Sequence, residues 1–115
     1  MRNMMEMLKK AQQAKKQMAA MTKELTSARF SATASGGQIE ATVNGEGEIT
    51  AIDISQFLAA HDNTLDDPQQ VQLEKGVVRA VGDAQKLAAK VKAKRMQAMA
   101  KDMGLPTGLG GLGGF

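Results

Sequence analysis

A chain of 115 residues with no cysteine has room for one domain and excludes both a disulfide framework and a thiolate metal site. Three phenylalanines are its only aromatic residues, so its core must be a thin one of Met, Leu, Ile, Val and Ala. No apolar run approaches a membrane span, charges at Arg2, Glu6, Lys9 and Lys10 argue against a secretory signal, and the modest net charge of +3 conceals a strong segregation.

Residues 2–28 contain neither Gly nor Pro and are rich in Met, Ala, Lys, Gln and Leu, a composition that predicts one long helix. Met4, Met7, Ala11, Ala14, Met18, Met21 and Leu25 follow alternating three- and four-residue steps, the apolar seam of a helix that seeks a partner helix. At ~100° per residue, Arg2, Lys9, Lys16 and Lys23 fall on nearly one line opposite that seam.

The period then changes from helix to strand. Phe30, Ala32 and Ala34 alternate with Ser31 and Thr33; beyond Gly36-Gly37, Ile39, Ala41 and Val43 alternate with Glu40, Thr42 and Asn44. Asn44-Gly45-Glu46-Gly47 is a turn signal, and a third run from Glu48 to Ser55 carries Ile49, Ile52 and Ile54. Three short strands in an antiparallel meander are expected, with one face against the helices.

Residues 56–68 read as a connector in which Phe57 and Leu58 plug the core, and Asp67-Pro68 as the cap and first residue of a second helix over 68–103. Its predicted apolar stripe is Leu73, Val77, Ala80, Ala84, Leu87, Val91 and Ala98, and Gly76 and Gly82 are expected to mark close packing. Lys75, Arg79, Lys86, Lys90, Lys94 and Lys101 fall within ~100° of arc on another face. Residues 104–115 are half glycine and are expected to be a disordered tail to a single domain over 1–103.

The charges divide with the elements. Residues 30–74 carry no Lys or Arg and eight acids, whereas the segments on either side are strongly basic. Such separation suggests a polyanion-binding surface held apart from an acidic body. The second helix would be about 50 Å long, against a radius of gyration near 13 Å for a compact domain of this size. Helices of that length, with two open sheet edges, are relieved if two chains join as a homodimer with the helices projecting as arms.

Signals for catalysis are missing. His61, the single histidine, stands beside Asp62 in an acidic connector and reads as a solvated side chain. Glu46, Glu48 and Asp53 read as solvent-facing charges of a hairpin rather than a cation site, and Gly45-Glu46-Gly47 lacks the lysine and helix of a phosphate loop. No cofactor, metal or small-molecule substrate is expected. The lysine stripe carries more information. A solvated helix face mixes Glu with Lys at i,i+4 spacing, but Lys86, Lys90 and Lys94 run at that spacing with no Glu among them. Lys outnumbers Arg, which favours phosphate contact over bidentate reading of guanine, and no aromatic side chains are interleaved for stacking single-stranded bases. Duplex DNA bound with weak sequence preference is the resulting expectation.

Three stretches together resemble the YbaB/EbfC family of bacterial nucleoid-associated proteins over about residues 4–109. They are the Met/Gln/Lys-rich opening helix with Leu8-Lys9-Lys10-Ala11-Gln12-Gln13, the run Val43-Asn44-Gly45-Glu46-Gly47-Glu48-Ile49 leading to Ile52-Asp53-Ile54, and the closing helix with the exit Met103-Gly104-Leu105-Pro106. The resemblance implies an α+β protomer of order α-β-β-β-α, a tweezer-like homodimer, duplex DNA as partner, and a cytoplasmic, nucleoid-associated or gene-regulatory role. The chain departs from the family pattern at Gly82 and in its long connector. The competing expectation is a helical adaptor that holds another protein with the Met-rich seam; membrane binding by the first helix is disfavoured by its want of Trp and Phe.

Overall fold

The stretch free of Gly and Pro folds as one continuous helix, α1 (Arg2–Ser27), in a computed structural model that describes residues 2–102 and Gly104. The Arg29 guanidinium ends it by donating to the carbonyls of Thr26 and Ala28, both at 2.9 Å. Three strands follow, β1 (Phe30–Ala34), β2 (Ile39–Val43) and β3 (Ile49–Asp53), and pair in the order β1-β2-β3, antiparallel throughout. A 3-10 turn, Ser35–Gly37, joins the first two.

The residues read as a connector include a short helix, α2 (Ser55–Ala60), before the long closing helix α3 (Asp67–Asp102). The cap of α3 lies one residue earlier than its sequence suggests. Asp66 accepts the Gln69 amide at 2.8 Å, and the Gln69 side chain accepts the Asp66 amide at 3.0 Å, a reciprocal capping box.

Alternation along the strands sends one set of side chains to α3. Ile39, Ala41 and Val43 are buried, and their cross-strand partners Ala34, Ala32 and Phe30 share that face. The other face is polar and open, with the Ser31 and Thr42 hydroxyls hydrogen-bonded across it at 2.9 Å. What α3 presents to the sheet matches the predicted stripe only at its centre: Gly76, Ala80, Ala84 and Ala88, one every fourth residue, are its buried positions, and of these Ala80 and Ala84 belong to the stripe. Leu73, Val77 and Val81 flank them, whereas Leu87 is 44% exposed and Ala98 is exposed. Small side chains let the helix axis approach the sheet closely. Gly76 belongs to this set, because a Cβ there would collide with the end of the buried Ile39; Gly82 does not, since a Cβ there would meet nothing within 4 Å. Phe57 closes one end of the core beside Ile39 and Ala80, as expected.

The sheet is covered unevenly. The pairing of β2 with β3 steps from Thr42–Ala51 to Val43–Ile49, leaving Thr50 as an extra residue in a bulge. The bulge places Ile49 and Ile52, three apart in sequence, opposite Val43 and Ala41 and therefore on the core face. Yet Ile49 is 52% exposed and Ile52 44%, because α3 packs over β1 and β2 and not over β3.

The molecule is a rod of 72 × 25 × 17 Å with a radius of gyration of 20.2 Å. Of α1, only the last turns are anchored, with Met21 and Leu25 buried; Met4, Met7 and Met18 of the predicted seam stand exposed.

Candidate nucleic-acid interface

Two ion pairs join α3 to the rest of the chain. Lys92 Nζ lies 2.7 Å from Glu46 in the β2–β3 turn, and the Arg95 guanidinium is paired with Glu24 of α1. These two cations are the ones that the helical wheel left outside the basic stripe of α3. The stripe residues Lys75, Arg79, Lys86, Lys90, Lys94 and Lys101 are all exposed, and among the described residues none of them has an acid within 4.0 Å. Folding therefore neutralises Lys92 and Arg95 and leaves the stripe uncompensated.

The direction of the stripe follows from the same wheel. Lys86 and Lys90 come two residues after the buried Ala84 and Ala88, about 200° round the helix, so they face away from the sheet. Lys94 continues the row one turn on. On α1, Lys9, Lys16 and Lys23 are exposed, and Lys23 is turned away from the buried Met21 and Leu25 by the same spacing. Arg2 is the first residue of α1, and its side chain lies outside the described residues, as does the predicted tail beyond Gly104.

Lys75 and Arg79 belong to a different setting. They line a cleft between the start of α3, the Ser35–Gly37 turn and α2. His61, also in that cleft, is not the freely solvated side chain its sequence context suggests. It is half-buried, its Nδ1 donates to the Phe57 carbonyl at 2.8 Å, and its ring centroid is 4.6 Å from that of Phe57.

The acids of the hairpin are likewise engaged in the fold. Asn44, buried to 4% exposure, accepts the amides of Glu46 and Glu48 at 3.0 Å and donates to the Glu48 carboxylate at 2.9 Å, while Glu46 holds Lys92. Asp53 accepts the hydroxyl of Ser55 at 2.6 Å and its amide at 2.9 Å, and these two bonds hold its carboxyl below the usual 3.8. Among the described residues no group of three His, Cys, Asp or Glu side chains is arranged to hold a metal, and no helix is long and apolar enough to cross a membrane.

The fold is an elongated α+β unit whose outer helix faces carry cations with no acidic partner among the described residues. The sequence profile of the YbaB/EbfC DNA-binding family matches residues 1–103, and the chain belongs to that family. It is 35% identical over 114 residues to a nucleoid-associated protein of Rhodococcus erythropolis, covering 98% of this chain and 94% of the relative. A nucleoid-associated protein of Clostridium acetobutylicum is 33% identical over 105 residues, covering 90% and 88%. An uncharacterized protein of Helicobacter pylori, known from its crystal structure, shares the fold with a TM-score of 0.62 at 18% identity, over 77% of this chain and 87% of that one.

Proposed function

We propose that this DNA-binding protein is nucleoid-associated, that it holds duplex DNA by its phosphate backbone with weak sequence preference, and that it acts as a homodimer in organising the nucleoid or regulating genes in the cytoplasm. The contacts come from Lys86, Lys90, Lys94 and Lys101 of α3 and from Arg2, Lys9, Lys16 and Lys23 of α1. The observation that carries this reading is the division of the α3 cations: Lys92 and Arg95 have acidic partners, and among the described residues the outward-facing stripe has none. Like charges one turn apart repel, and a row of phosphates relieves that repulsion. The names of the Rhodococcus and Clostridium relatives support the nucleoid role. The reading is of a binding protein, without a catalytic step.

Dimerisation is supported by β3. Its core-face isoleucines, Ile49 and Ile52, are exposed, and among the described residues no strand pairs with its outer edge. A second copy would cover both. The exposed Met4, Met7 and Met18 offer the helices a further contact, and the same surface would serve an adaptor that grips another protein.

The test is a salt titration of duplex binding by the triple variant Lys86→Gln, Lys90→Gln, Lys94→Gln. Each phosphate that is no longer neutralised flattens the slope of log affinity against log salt by about 0.9, so a flattening of roughly 2–3 units per protomer is expected. The weakening should be alike on unrelated sequences. A folded variant with unchanged affinity and slope would refute the stripe, and weakening on one sequence alone would refute backbone binding.

A further inference from the structure

We propose that the cleft between α2, the Ser35–Gly37 turn and the first turns of α3 binds a phosphorylated small molecule, with its phosphate held between Lys75 and Arg79. The cleft has a volume of 660 Å³, within the range of sites for nucleotide-sized ligands. Its polar lining consists of Lys75, Arg79, His61, Ser35, Gln38 and Gln72, and no Asp or Glu contributes to it. Lys75 and Arg79 can only donate hydrogen bonds. They stand one helical turn apart, and among the described residues neither has an ion-pair partner. Two fixed positive charges at that spacing match the charge of a phosphate monoester, and the Arg79 fork suits its oxygens.

The backbone at the rim is a second observation, independent of charge. Ser35, Gly36 and Gly37 all adopt left-handed angles, with φ of 54°, 68° and 90°. The glycines take this conformation readily, whereas Ser35 carries a Cβ in a region that favours glycine. Such a conformation persists where the surroundings hold it. Here it keeps a hydroxyl against α3: Ser35 Oγ stands 3.1 Å from where a Cβ on Gly76 would be, and Gly76 lacks that atom. His61 adds a further group, since the Phe57 carbonyl occupies Nδ1 and leaves Nε2 as the remaining polar atom of the ring. Below these polar groups, Ala34, Phe57 and Gly76 supply an apolar floor for the body of a ligand.

The cleft takes up the first two cations of the stripe and is separated from the rest, because Lys86 begins about 10 Å further along α3 than Arg79 at 1.5 Å per residue. It does not rest on the duplex reading, and its probes are applied without DNA. The experiment is an amide-resolved NMR titration of the full chain with inorganic pyrophosphate and with a nucleoside monophosphate. Saturable shifts are expected at residues 35–38, 57–61 and 72–79. The double variant Lys75→Gln, Arg79→Gln should weaken that binding at least tenfold. Gln72→Glu, which puts an acid into the lining on an exposed helix position, should weaken it similarly. Absence of saturable shifts, or shifts spread equally along Lys86 to Lys101, would overturn the proposal. So would a double variant that loses duplex affinity tenfold and keeps its phosphate binding, which would make these cations part of the DNA surface.

Discussion

Gly45 donates its amide to the Leu25 carbonyl at 2.6 Å, and this bond seats the β2–β3 turn against the last turn of α1. The approach leaves no room for a side chain, since a Cβ on Gly45 would lie 2.7 Å from the Leu25 oxygen and 2.8 Å from its Cα. Both obstacles are backbone atoms. Gly45→Ala must therefore push α1 away from the turn, at about 1–3 kcal/mol. Amide exchange should accelerate first at 21–28, and the melting temperature should fall. Unchanged exchange there would show that α1 is not held by the turn.

The two helical glycines of α3 should respond with opposite sign. Gly82→Ala gains helix propensity with nothing in its way, and should stabilise by about 0.5–1 kcal/mol. Gly76→Ala gains the same propensity but drives a methyl into the buried Ile39, so denaturant midpoints should fall on balance. Two shifts of the same sign would mean that α3 does not lie on the sheet at Gly76.

Asp53 should titrate below the ordinary 3.8, because Ser55 donates both its hydroxyl and its amide to the carboxylate. A carboxyl whose folded pKa is depressed favours the fold above its unfolded pKa, and that contribution is lost as pH falls through the folded value. Ser55→Ala removes the larger of the two bonds and should move the titration of the Asp53 carboxyl, followed by NMR, upward. A titration unaffected by the substitution would contradict this account of Asp53.

Freeing a paired cation should strengthen duplex binding. Glu46→Gln releases Lys92 on the sheet side of α3, about 200° round the helix from Lys90 and Lys94. The salt slope should steepen by up to about 0.9 per protomer. The cost in stability should be small, since both partners are partly exposed and such pairs contribute about 0–1 kcal/mol. Glu40→Gln, on the open face of the sheet, alters net charge equally and serves as the comparison. Equal effects from the two would reduce the result to net charge alone.

Covering of β3 by a second copy can be tested at Ile49 and Ile52. Ile49→Lys with Ile52→Lys should leave each protomer folded, because both side chains are already exposed within it. Sedimentation equilibrium at micromolar concentration should move from twice the 12.2 kDa chain mass to that of a single chain. A wild-type chain that sediments as a monomer would remove the dimer from the proposal.

The two long helices were legible from their composition, and their ends fell within a residue of expectation, whereas the short α2 lay hidden in the residues read as a connector. The buried face of α3 was legible in part: Ala80, Ala84 and the close approach at Gly76 were expected, but Ala88 is too weakly apolar to stand out beside the exposed Leu87. Ile49 and Ile52 break the two-residue period of a strand, and only the bulge at Thr50 returns both to one face. Two adjacent aspartates competed for the cap of α3, and the reach of Gln69 decided for Asp66. At the site, exposure of the lysines followed from the wheel. The pairing of Lys92 with Glu46 did not, because it joins residues 46 apart through the path of the sheet.

The unbroken course of α3 makes it both the roof of the sheet and, past the Arg95–Glu24 pair, a projecting beam. With no Pro or Gly between Asp83 and Asp102 to act as a joint, movement at one end must be transmitted whole. From a fulcrum at Ala84, the tip at Asp102 lies about 27 Å away, so a tilt of about 5° would carry it some 2 Å sideways, by the rise of 1.5 Å per residue. Small adjustments where the small-residue face rests on the strands therefore set the span between lysines far from it, in the manner of a calliper whose pivot is finer than its jaws.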